Sequence, residues 1–534
     1  MKIYRKSVSI GAAAALTLAL LAGCSGKNAA ASAGTSASDT TASTTASSTS
    51  TDENMFTERD KEIGYDESES TIVTLSDSTA SVKGSGAAVS GSTVTIAAEG
   101  TYILSGTLNG QVVVAAEDTA KIQIVLNGAV LTNENSAALY VKSADKVFLT
   151  TASGTKNTVT TSGELTATDG TTNIDAAIFS KAGLTLNGAG TLAVRAPYGH
   201  GVVSKDDLKV TCGTYEISSQ DHALNGKDSV RIADGTFTLT TDEDAIHASN
   251  DDDTTKGFVY IEGGTFTINA GDDGIHAGAA LTITGGTIDI QKSYEGIEGK
   301  TISISGGKIL VVSSDDGLNA SSGSSTSDRQ GGGPGGGMQG DSSISLTISG
   351  GNLTINAGGD GIDSNGNLTI SGGVTTVYGP TDNGNGAIDY GEGCTAIVTG
   401  GTLLAAGSSG MAESFADSST QGSILYVLSS QQAAGTQVTL KDSSGKVLAQ
   451  FTPEKTFSAV NISVEGLTDS GTYTFTVGSQ SYSVEMSAIS YSNKTGGMGG
   501  GMDAMGGGRM PQGGKGGPQQ NTEPQRSDAA TTSA

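Results

Sequence analysis

A short motif between Asp221 and Asp389 repeats the residue types that bind metal ions and move protons. Each copy has a small residue followed by an aliphatic residue, with acid, amide or histidine on both sides. Such side chains supply the ligands of metal sites and the groups of acid–base catalysis. The copies recur about every 22 residues where no insertion intervenes, and this period indicates a solenoid of stacked coils. The residues before the small residue are His222, Asp244, Asp273, Glu295, Asp316, Asp360 and Gly386.

Two further strand patterns fill the interval between copies of the motif. One reads Leu281-Thr282-Ile283 and its equivalents, and the other starts with a pair such as Gly285-Gly286 and continues in alternation. Short alternating runs that end at Gly, Asn or Asp are typical of strands joined by tight turns. One repeat therefore contains three strands, and the predicted fold is all-β, a three-sided parallel β-helix.

Stacked coils bring equivalent residues to the strand spacing of about 4.8 Å, so each sequence column is predicted to form a ladder along the solenoid. The aliphatic residue should point inward and its two neighbours outward, because side chains alternate across a strand. The small residues would then form a shallow outward floor. All four histidines lie in the column before the small residue, which starts at His200, or in the column after the aliphatic residue. That second column contains Asn225, His247, His276, Glu298, Asn319, Asp363 and Asp389.

The acidic columns favour a bound cation. Two carboxylates about 4.8 Å apart repel by roughly 1 kcal/mol in bulk water, and by several times more at a lower effective dielectric. Hard divalent ions relieve this repulsion, and oxygen ligands with variable geometry suit calcium better than magnesium. Neighbouring Asn, Ser and backbone N–H groups, or partial protonation, are the alternative, and zinc on the histidines is a minor one. The predicted calcium ligands are Asp244, Asp273, Glu295, Asp316, Asp360 and Asp363.

Composition and net charge limit the classes of molecule that the chain is expected to bind. Of the 534 residues 79 are Gly, Trp is absent and 16% are charged, which agrees with a chain rich in turns and strands. The net charge of -26 argues against nucleic acid as a partner. A monomer is expected. Cys212 and Cys394 should remain free thiols, because they lie about seven coils, roughly 34 Å, apart, whereas a disulfide needs Cα atoms within about 7 Å.

The N-terminus predicts the compartment. Basic residues precede an apolar run that ends in Leu21-Ala22-Gly23-Cys24. This resembles the bacterial lipoprotein signal, in which a peptide, here 1–23, is cleaved before a cysteine that is then acylated, although an ordinary secretory signal is the alternative. Residues 24–55, mostly Ser, Thr and Ala, are predicted to be a flexible tether. The expected location is outside the cytoplasm, lipid-anchored to the membrane at the cell surface.

Composition and strand pattern divide the rest of the chain. Residues 56–422 are predicted to form the β-helix, with a glycine-rich loop inserted at 320–341. Longer strands and hairpin signals at 423–487 indicate a small antiparallel β module that covers the end of the helix. The Gly-, Met-, Gln- and Pro-rich tail, 488–534, is predicted to be disordered.

Residues 60–486 resemble a family of bacterial carbohydrate-binding proteins, first described in a cellulolytic clostridium. The segments that carry the resemblance are Gly100 to Leu108, Val125-Leu126-Asn127-Gly128, Ala144-Asp145-Lys146-Val147 and the Asp-Gly-Ile repeats. The resemblance implies a right-handed parallel β-helix similar to polysaccharide lyases, binding to cellulose and acidic sugars, and calcium ions on the helix. It supports the acidic columns as a whole and assigns no individual ligand. The glycine-rich insertion and the histidines depart from the family pattern.

Three functions agree with these sequence features. The favoured hypothesis is non-catalytic, calcium-dependent polysaccharide binding, with cellulose or an acidic sugar polymer as the ligand. Its sugar contacts are predicted at His247, His276, Glu298, Tyr294 and Tyr378. The second hypothesis is a surface adhesin or structural β-helix of the envelope. The third is a polysaccharide lyase, in which calcium acidifies a proton beside a uronate and a basic residue removes it; its base would come from Arg195, Lys205, Arg231, Lys292 or Lys308.

Overall fold

The computed structural model of the protein describes residues 55–322 and 340–494. The predicted signal peptide, nearly all of the tether, most of the glycine-rich insertion and most of the tail lie outside the described residues. The described residues are almost entirely β-structure, and their only α-helix is a single turn at Glu58–Lys61. None of the helical structure in these two ranges is long and apolar enough to span a membrane.

Three sheets run side by side, and each coil adds one strand to each sheet. Equivalent strands of neighbouring coils pair in parallel, as Ile246 pairs with Ile275 and Val259 with Leu281. This arrangement confirms the predicted three-sided parallel β-helix. The first sheet carries the polar motif and consists of Ala87–Ser90, Thr93–Ile96, Gln111–Ala115, Leu139–Ser143, Ala176–Ser180, His200–Ser204, Leu224–Gly226, Ile246–Ala248, the first halves of Ile275–Ile283 and Ile297–Ile304, Leu318–Ala320, Ile362–Ser364 and Ile388–Tyr390.

The second sheet continues those two long strands around a corner. Its strands are Thr79–Lys83, Thr71–Asp77, Gly100–Asn109, Lys121–Asn133, Lys146–Thr151, Gly183–Gly188, Asp207–Val210, Ser229–Ile232, Phe258–Ile261, the second halves of Ile275–Ile283 and Ile297–Ile304, Ser345–Ile348, Asn367–Ile370 and Ala396–Val398. Cys212 follows Asp207–Val210, and Cys394 precedes Ala396–Val398 at the C-terminal end of this series; both are free, as predicted.

The third sheet completes each coil. It starts with the second halves of Gly100–Asn109 and Lys121–Asn133, and continues with Lys156–Thr161, Thr191–Ala196, Thr214–Ser219, Thr236–Thr241, Thr265–Asn269, Thr287–Lys292, Lys308–Val312, Asn352–Asn356, Val374–Tyr378 and Thr402–Gly407. A short hairpin, Thr168–Asp169 with Thr172–Asn173, stands apart from the three sheets.

Glycine pairs form the corner between the second and third sheets. Gly264 and Gly286 have φ values of 104° and 93°, a left-handed region that side chains rarely adopt. A Cβ atom added to Gly286 would also lie 3.0 Å from the carbonyl oxygen of Gly264 on the preceding coil. Glycine is therefore required in the Gly-Gly pattern both by the backbone conformation and by the close approach between coils.

The interior is a continuous column of aliphatic and aromatic side chains. Ile246, Ile275 and Ile297 of the first sheet are completely buried. In the third sheet the rings of Phe237 and Phe266 stack with centroids 4.5 Å apart. Each large apolar side chain buried in this way contributes about 1.5–3 kcal/mol relative to exposure, so the core stabilises every coil against its neighbours.

Antiparallel structure follows the last coil. Phe457–Ser463 pairs antiparallel with Thr402–Gly407 and with Ser423–Gln432, so it covers the open edge of the third sheet. Ser490–Ser492 pairs in parallel with Ser423–Gln432. A separate four-stranded antiparallel sheet consists of Val447–Phe451, Val438–Asp442, Thr472–Val477 and Gln480–Glu485.

Residues 55–64, here called the N-terminal strap, lie against the outer face of the second sheet. Asp60 is completely buried, and its carboxylate lies 2.6 Å from the Lys146 Nζ and 3.3 Å from the Lys209 Nζ. Asn187 Nδ2 donates a hydrogen bond of 3.0 Å to the Asp60 carbonyl oxygen. The ring of Phe56 packs near that of Tyr260. The strap therefore joins several successive coils.

Candidate functional site

The register of the first sheet aligns the outward polar column. Its neighbouring members face each other across successive coils, as His247 pairs with His276 and His276 with Glu298. The same alignment continues from Asn319 to Asp363 and on to Asp389. We call this column and the column that starts at His200 and precedes the small residues the polar ladder.

The small residues of the motif do not form an outward floor, so that prediction was wrong. Ala223 and Ala245 are completely buried. A Cβ atom added to Gly296 would lie 2.3 Å from the Gly317 carbonyl oxygen and 2.3 Å from Cγ1 of the buried Val311. The column is small because the chain turns from the third sheet into the first there, and the turn packs closely against core side chains and the next coil.

The outward column is apolar before the ladder starts. Tyr140, Phe179 and Val203 stand in register with Asn225 on successive coils. They form a separate apolar cluster that includes Ile174, which comes directly after the short hairpin. This apolar cluster therefore lies next to the polar ladder at its N-terminal end.

Members of the column before the small residues bind the backbone of the next coil. Asp244 Oδ1 accepts a hydrogen bond of 2.9 Å from the Asp273 N–H, and Asp316 Oδ1 accepts one of 2.6 Å from the Asp360 N–H. Asp360 Oδ1 likewise accepts a hydrogen bond from the Gly386 N–H. Each of these carboxylates therefore uses one oxygen atom to hold the coils in register and has a second oxygen that remains for other contacts.

Imidazole rings stack at the N-terminal part of the ladder, which we call the histidine end. The His222 and His247 rings have centroids 4.1 Å apart and are inclined by 6°, and His200 and His276 extend the stack on either side. His247 Nδ1 lies 2.7 Å from Asp244 Oδ2. Asp244 is itself buried, with a side chain that is 7% exposed.

One histidine carries a positive charge between two acids. His276 Nδ1 lies 3.1 Å from Asp273 Oδ2 and 2.8 Å from Glu298 Oε2. Burial alone would lower the pKa of His276, but its hydrogen bonds with these two carboxylates raise it well above the usual value. Burial acts to raise the pKa of Glu298, yet the bond with His276 outweighs it and lowers the pKa to about 2. The histidine end thus contains an internal ion pair.

At His222 the effect of burial prevails. It lowers the pKa of this imidazole to about 3, and the neighbouring His247 adds to the effect. The backbone N–H of Asp244 lies 3.2 Å from His222 Nδ1, which therefore accepts a hydrogen bond as a neutral imidazole. His222 is accordingly held in the form that can donate a lone pair.

The C-terminal part of the ladder, which we call the acidic end, contains only oxygen donors. Asp316, Asp360 and Asp363 each offer an oxygen, and these atoms lie within 4.8 Å of one another. Burial, followed by repulsion from neighbouring carboxylates, raises the pKa of Asp316 to about 7 and that of Asp360 to about 8. Within residues 55–322 and 340–494 no lysine or arginine forms an ion pair with these three acids. The acidic end therefore lacks a cationic partner in the described chain.

Glu295, the remaining predicted ligand, lies between the two ends. Glu295 groups with Asp273 and Glu298 rather than with the acidic end. Burial and the charge of Glu298 raise the pKa of Glu295 to about 9, and its Oε2 accepts a hydrogen bond of 2.8 Å from Asn319 Nδ2. Glu298 was predicted as a sugar contact, but its carboxylate is occupied by His276 and by Ser321 Oγ at 2.6 Å.

Tyrosines around the ladder differ in accessibility. Tyr294 is 39% exposed and precedes Glu295 at the corner of the first sheet, and Tyr198 is 48% exposed at the equivalent corner near His200. Tyr378 lies on the third sheet, where it is partly buried and packs against the apolar core of the C-terminal antiparallel structure, so its role as a sugar contact stays a prediction. The hydroxyl of Tyr390 donates to the Ser414 carbonyl oxygen at 3.2 Å.

Two acids near the acidic end were not among the predicted ligands. Asp389 continues the outward column in register with Asp363, so its position in the repeat was a usable signal. Glu413 comes from a segment that follows the last coil and has no repeat to mark it. Burial and the charge of Asp389 raise the pKa of Glu413 to about 7, and Glu413 Oε2 is buried without a hydrogen-bond partner among the described residues.

The basic residues considered for a lyase are dispersed. Arg231 lies on the second sheet, bound to Asp207 at 3.1 Å and to the Met55 carbonyl oxygen of the strap at 3.3 Å. Lys205 lies over the Phe179 ring in the apolar segment before the ladder. The other three, Arg195, Lys292 and Lys308, belong to third-sheet strands. None of the five forms an ion pair with a ladder carboxylate within residues 55–322 and 340–494.

Part of the chain is similar to known proteins. Residues 90–333 match the profile of a family described as "Carbohydrate-binding domain-containing protein". A protein of the same description from Acetivibrio thermocellus is 33% identical over 136 residues, which are 25% of this chain and 48% of that protein. The chain thus spans about half the length of the curated relative it matches.

One solved structure is also similar to part of this chain. Its title is "Structure of the polysaccharide lyase-like protein from C. thermocellum, Gadolinium derivative", and it is 29% identical. The alignment covers 48% of this chain and 98% of that one, with a TM-score of 0.40. Over residues 90–333, therefore, this chain is similar to the carbohydrate-binding domain-containing proteins.

Proposed function

We propose that the acidic end holds a calcium ion through Asp316, Asp360 and Asp363. The observation that carries this proposal is the set of three side-chain oxygens within 4.8 Å of one another, without a lysine or arginine partner in the described chain. Calcium takes hard oxygen ligands in flexible geometry, which fits this donor set. Asp389, next in register to Asp363, is positioned to add charge beside the ion.

Bound calcium would remove a cost that the fold otherwise carries. The pKa values of Asp316 and Asp360 are raised chiefly by burial and then by repulsion, so their ionised forms are unfavourable without a counter-ion. A divalent ion offsets both contributions. The histidine end differs, because the His276 imidazole already pairs with the Glu298 carboxylate. Calcium is therefore assigned to fewer residues than the sequence suggested.

The proposed function is non-catalytic, calcium-dependent binding of a polysaccharide along the ladder. The family match over residues 90–333 supports carbohydrate as the ligand class, although the matched residues end before Asp360. A calcium ion at the acidic end supplies a centre to which sugar hydroxyls or uronate carboxylates bind. Tyr294 offers a partly exposed aromatic ring beside the same ladder. The dispersal of the basic residues favours binding over lyase chemistry.

We place this activity at the cell surface, on a monomer anchored by a lipid at Cys24. The support is the lipobox-like sequence Leu21-Ala22-Gly23-Cys24 and the Ser-, Thr- and Ala-rich segment that follows it. Metabolic labelling with a fatty-acid analogue tests the anchor directly. Label should appear on the unmodified chain and disappear in Cys24→Ala; label retained in the variant would contradict lipidation at this residue.

A polysaccharide pull-down tests the binding function. The full chain is incubated with insoluble cellulose or an immobilised polyuronate, in calcium and then in a chelator. We expect retention in calcium, loss in chelator, and loss in the double variant Asp360→Asn/Asp363→Asn even when calcium is present. Asp252→Asn, on an exposed loop, is the matched control and should bind normally. Equal retention in calcium and chelator would contradict the calcium mechanism, and retention on no glycan would contradict carbohydrate binding.

A further inference from the structure

The histidine end has donor chemistry that calcium binding does not use. We propose that His222, Asp244 and His247 form a second metal site, one that takes a transition-metal ion such as Zn²⁺ in preference to calcium. The site is separate from the acidic end and does not depend on the proposed carbohydrate function. It would give a single ladder two metal sites of different chemical selectivity.

The three side chains converge on one atom. Asp244 Oδ2 lies 2.7 Å from His247 Nδ1 and 3.4 Å from His222 Nδ1. One ligand atom from each residue lies within 4.8 Å of the other two. Ligands about 2.1 Å from a tetrahedral ion lie roughly 3.4 Å apart, so the distance between His222 Nδ1 and Asp244 Oδ2 matches that of a loaded site. The shorter distance between His247 Nδ1 and Asp244 Oδ2 is a hydrogen bond that the ion would replace.

The donor types select for the metal. Two imidazole nitrogens and one carboxylate oxygen suit zinc, nickel or copper, whereas calcium prefers oxygen donors alone. His222 Nδ1 accepts a hydrogen bond of 3.2 Å from the Asp244 N–H, so this nitrogen presents a lone pair, which the ion would take over. Asp244 Oδ1 accepts a hydrogen bond of 2.9 Å from the Asp273 N–H, which leaves Oδ2 to face the two imidazoles and an ion between them.

Binding requires a local rearrangement that the structure permits. The His222 and His247 rings are nearly parallel, so their nitrogen lone pairs do not yet point at one centre. Rotation about the Cβ–Cγ bonds, a soft torsion for histidine, would turn both nitrogens toward the ion. The side chains are 15% and 19% exposed, which provides access from solvent. His200, stacked on His222, has a buried Nδ1 without a hydrogen-bond partner among the described residues, so one further nitrogen donor adjoins the site.

Cobalt and zinc provide the test on the full chain. Metal-free protein is first saturated with millimolar calcium and then titrated with Co²⁺, which gives visible absorption bands in nitrogen-containing sites. We expect one equivalent to bind, with displacement by Zn²⁺. X-ray absorption at the zinc edge of the unmodified chain should show two imidazole ligands. Absence of cobalt bands, or a zinc shell without imidazole, would overturn the proposal.

Matched variants locate the site. His247→Gln should weaken zinc binding by about tenfold or more, while its calcium affinity stays unchanged. Asp363→Asn should have the reverse effect, with weaker calcium and normal zinc binding. Circular dichroism verifies that both variants fold. Normal zinc binding in His222→Gln/His247→Gln would overturn the second site, whereas loss of calcium alone in Asp363→Asn concerns the proposed function and leaves the zinc site standing.

Discussion

The Nδ1 of His276 lies 2.8 Å from the Oε2 of Glu298 on the neighbouring coil. This contact divides the polar ladder into two electrostatically different parts. Before it, imidazoles accompany the carboxylates; after it, Asp316, Asp360 and Asp363 repeat without a cationic side chain in the described residues. The sequence places the histidines before the acids in these columns, and the structure adds the ion pair between His276 and Glu298 that separates a balanced end from an unbalanced one.

The first prediction concerns this ion pair. His276→Gln should lower the free energy of unfolding by about 2 kcal/mol, because loss of one partner of a buried pair typically costs about 3–5 kcal/mol and partial exposure reduces that figure. Chemical denaturation of the full chain, monitored by circular dichroism, measures the change. In Glu298→Gln/His276→Gln the combined loss should be smaller than the sum of the two single losses. Strictly additive losses would show that the two side chains do not interact.

The second prediction concerns metal removal. A chelator should lower the melting temperature of the full chain, because a ligand bound only by the folded state stabilises it by about 2.7 kcal/mol at a hundredfold excess over its dissociation constant. Asp363→Asn should abolish this response to calcium. Without calcium the variant should be as stable as the parent or more stable, because burial and repulsion raise the pKa of Asp363 well above its usual value. A melting curve unaffected by chelation in the parent would contradict the assignment.

The third prediction concerns pH and the strap. Burial acts to raise the pKa of Asp60, but hydrogen bonds from Lys146 and Thr185 outweigh it and hold that pKa well below the usual value. A carboxyl group with a depressed pKa binds fewer protons when folded, so its contribution is complete above the unfolded value near about 3.9 and is lost as the pH falls below it. Asp60→Asn should destabilise the chain by about 3 kcal/mol at neutral pH. Its unfolding free energy should then vary less with pH between about 4 and 2 than that of the parent, and an identical pH profile would contradict this role.

The fourth prediction concerns the close turn at the start of the first sheet. Gly296→Ala should cost about 1–3 kcal/mol, because its new methyl group would meet the Gly317 carbonyl oxygen and Val311 at 2.3 Å. Gly64→Ala is the control, since nothing lies within 4 Å of a Cβ atom at that position and it should change stability little. Thermal melts in excess calcium compare the two. Equal melting temperatures for Gly296→Ala and the parent would show that the turn can relax.

Periodicity made the three-sided helix predictable. Once Ile246 and Ile275 are recognised as equivalent, stacking requires His247 to face His276, whatever the details of the turns. The direction of the small residues was mispredicted because alternation along a strand does not extend around a corner. At the corner occupied by Gly296, an added Cβ atom would meet Val311 of the third sheet. The packing partners of Tyr378 could not be predicted from the repeat, because the antiparallel strands that it packs against lie outside the repeated segment.

The hydrogen-bond and ion-pair partners of the ladder side chains could not be predicted from the sequence either. A column of acids gives their spacing, but not which oxygen accepts the next backbone N–H, as Asp316 does from Asp360. Nor does it show that Glu298 is satisfied by His276, since this depends on side-chain rotamers. The Asp60 contacts arise from a segment without a repeat, and no column marks them.

The N-terminal strap determines how a mechanical load would enter the protein. Its contacts run from Gln123, through Lys146, Asn187 and Arg231, to Tyr260, which lie on different coils of the second sheet. Tension on the chain ahead of residue 55 would therefore act in shear on many bonds at once, instead of peeling strands one by one from the end. Because the strap attaches to the middle of the solenoid, the first coils would stay unloaded until it detached. If the chain is anchored at Cys24 and binds a polysaccharide as proposed, drag on that polymer would be resisted at the attachment where the most bonds must break together.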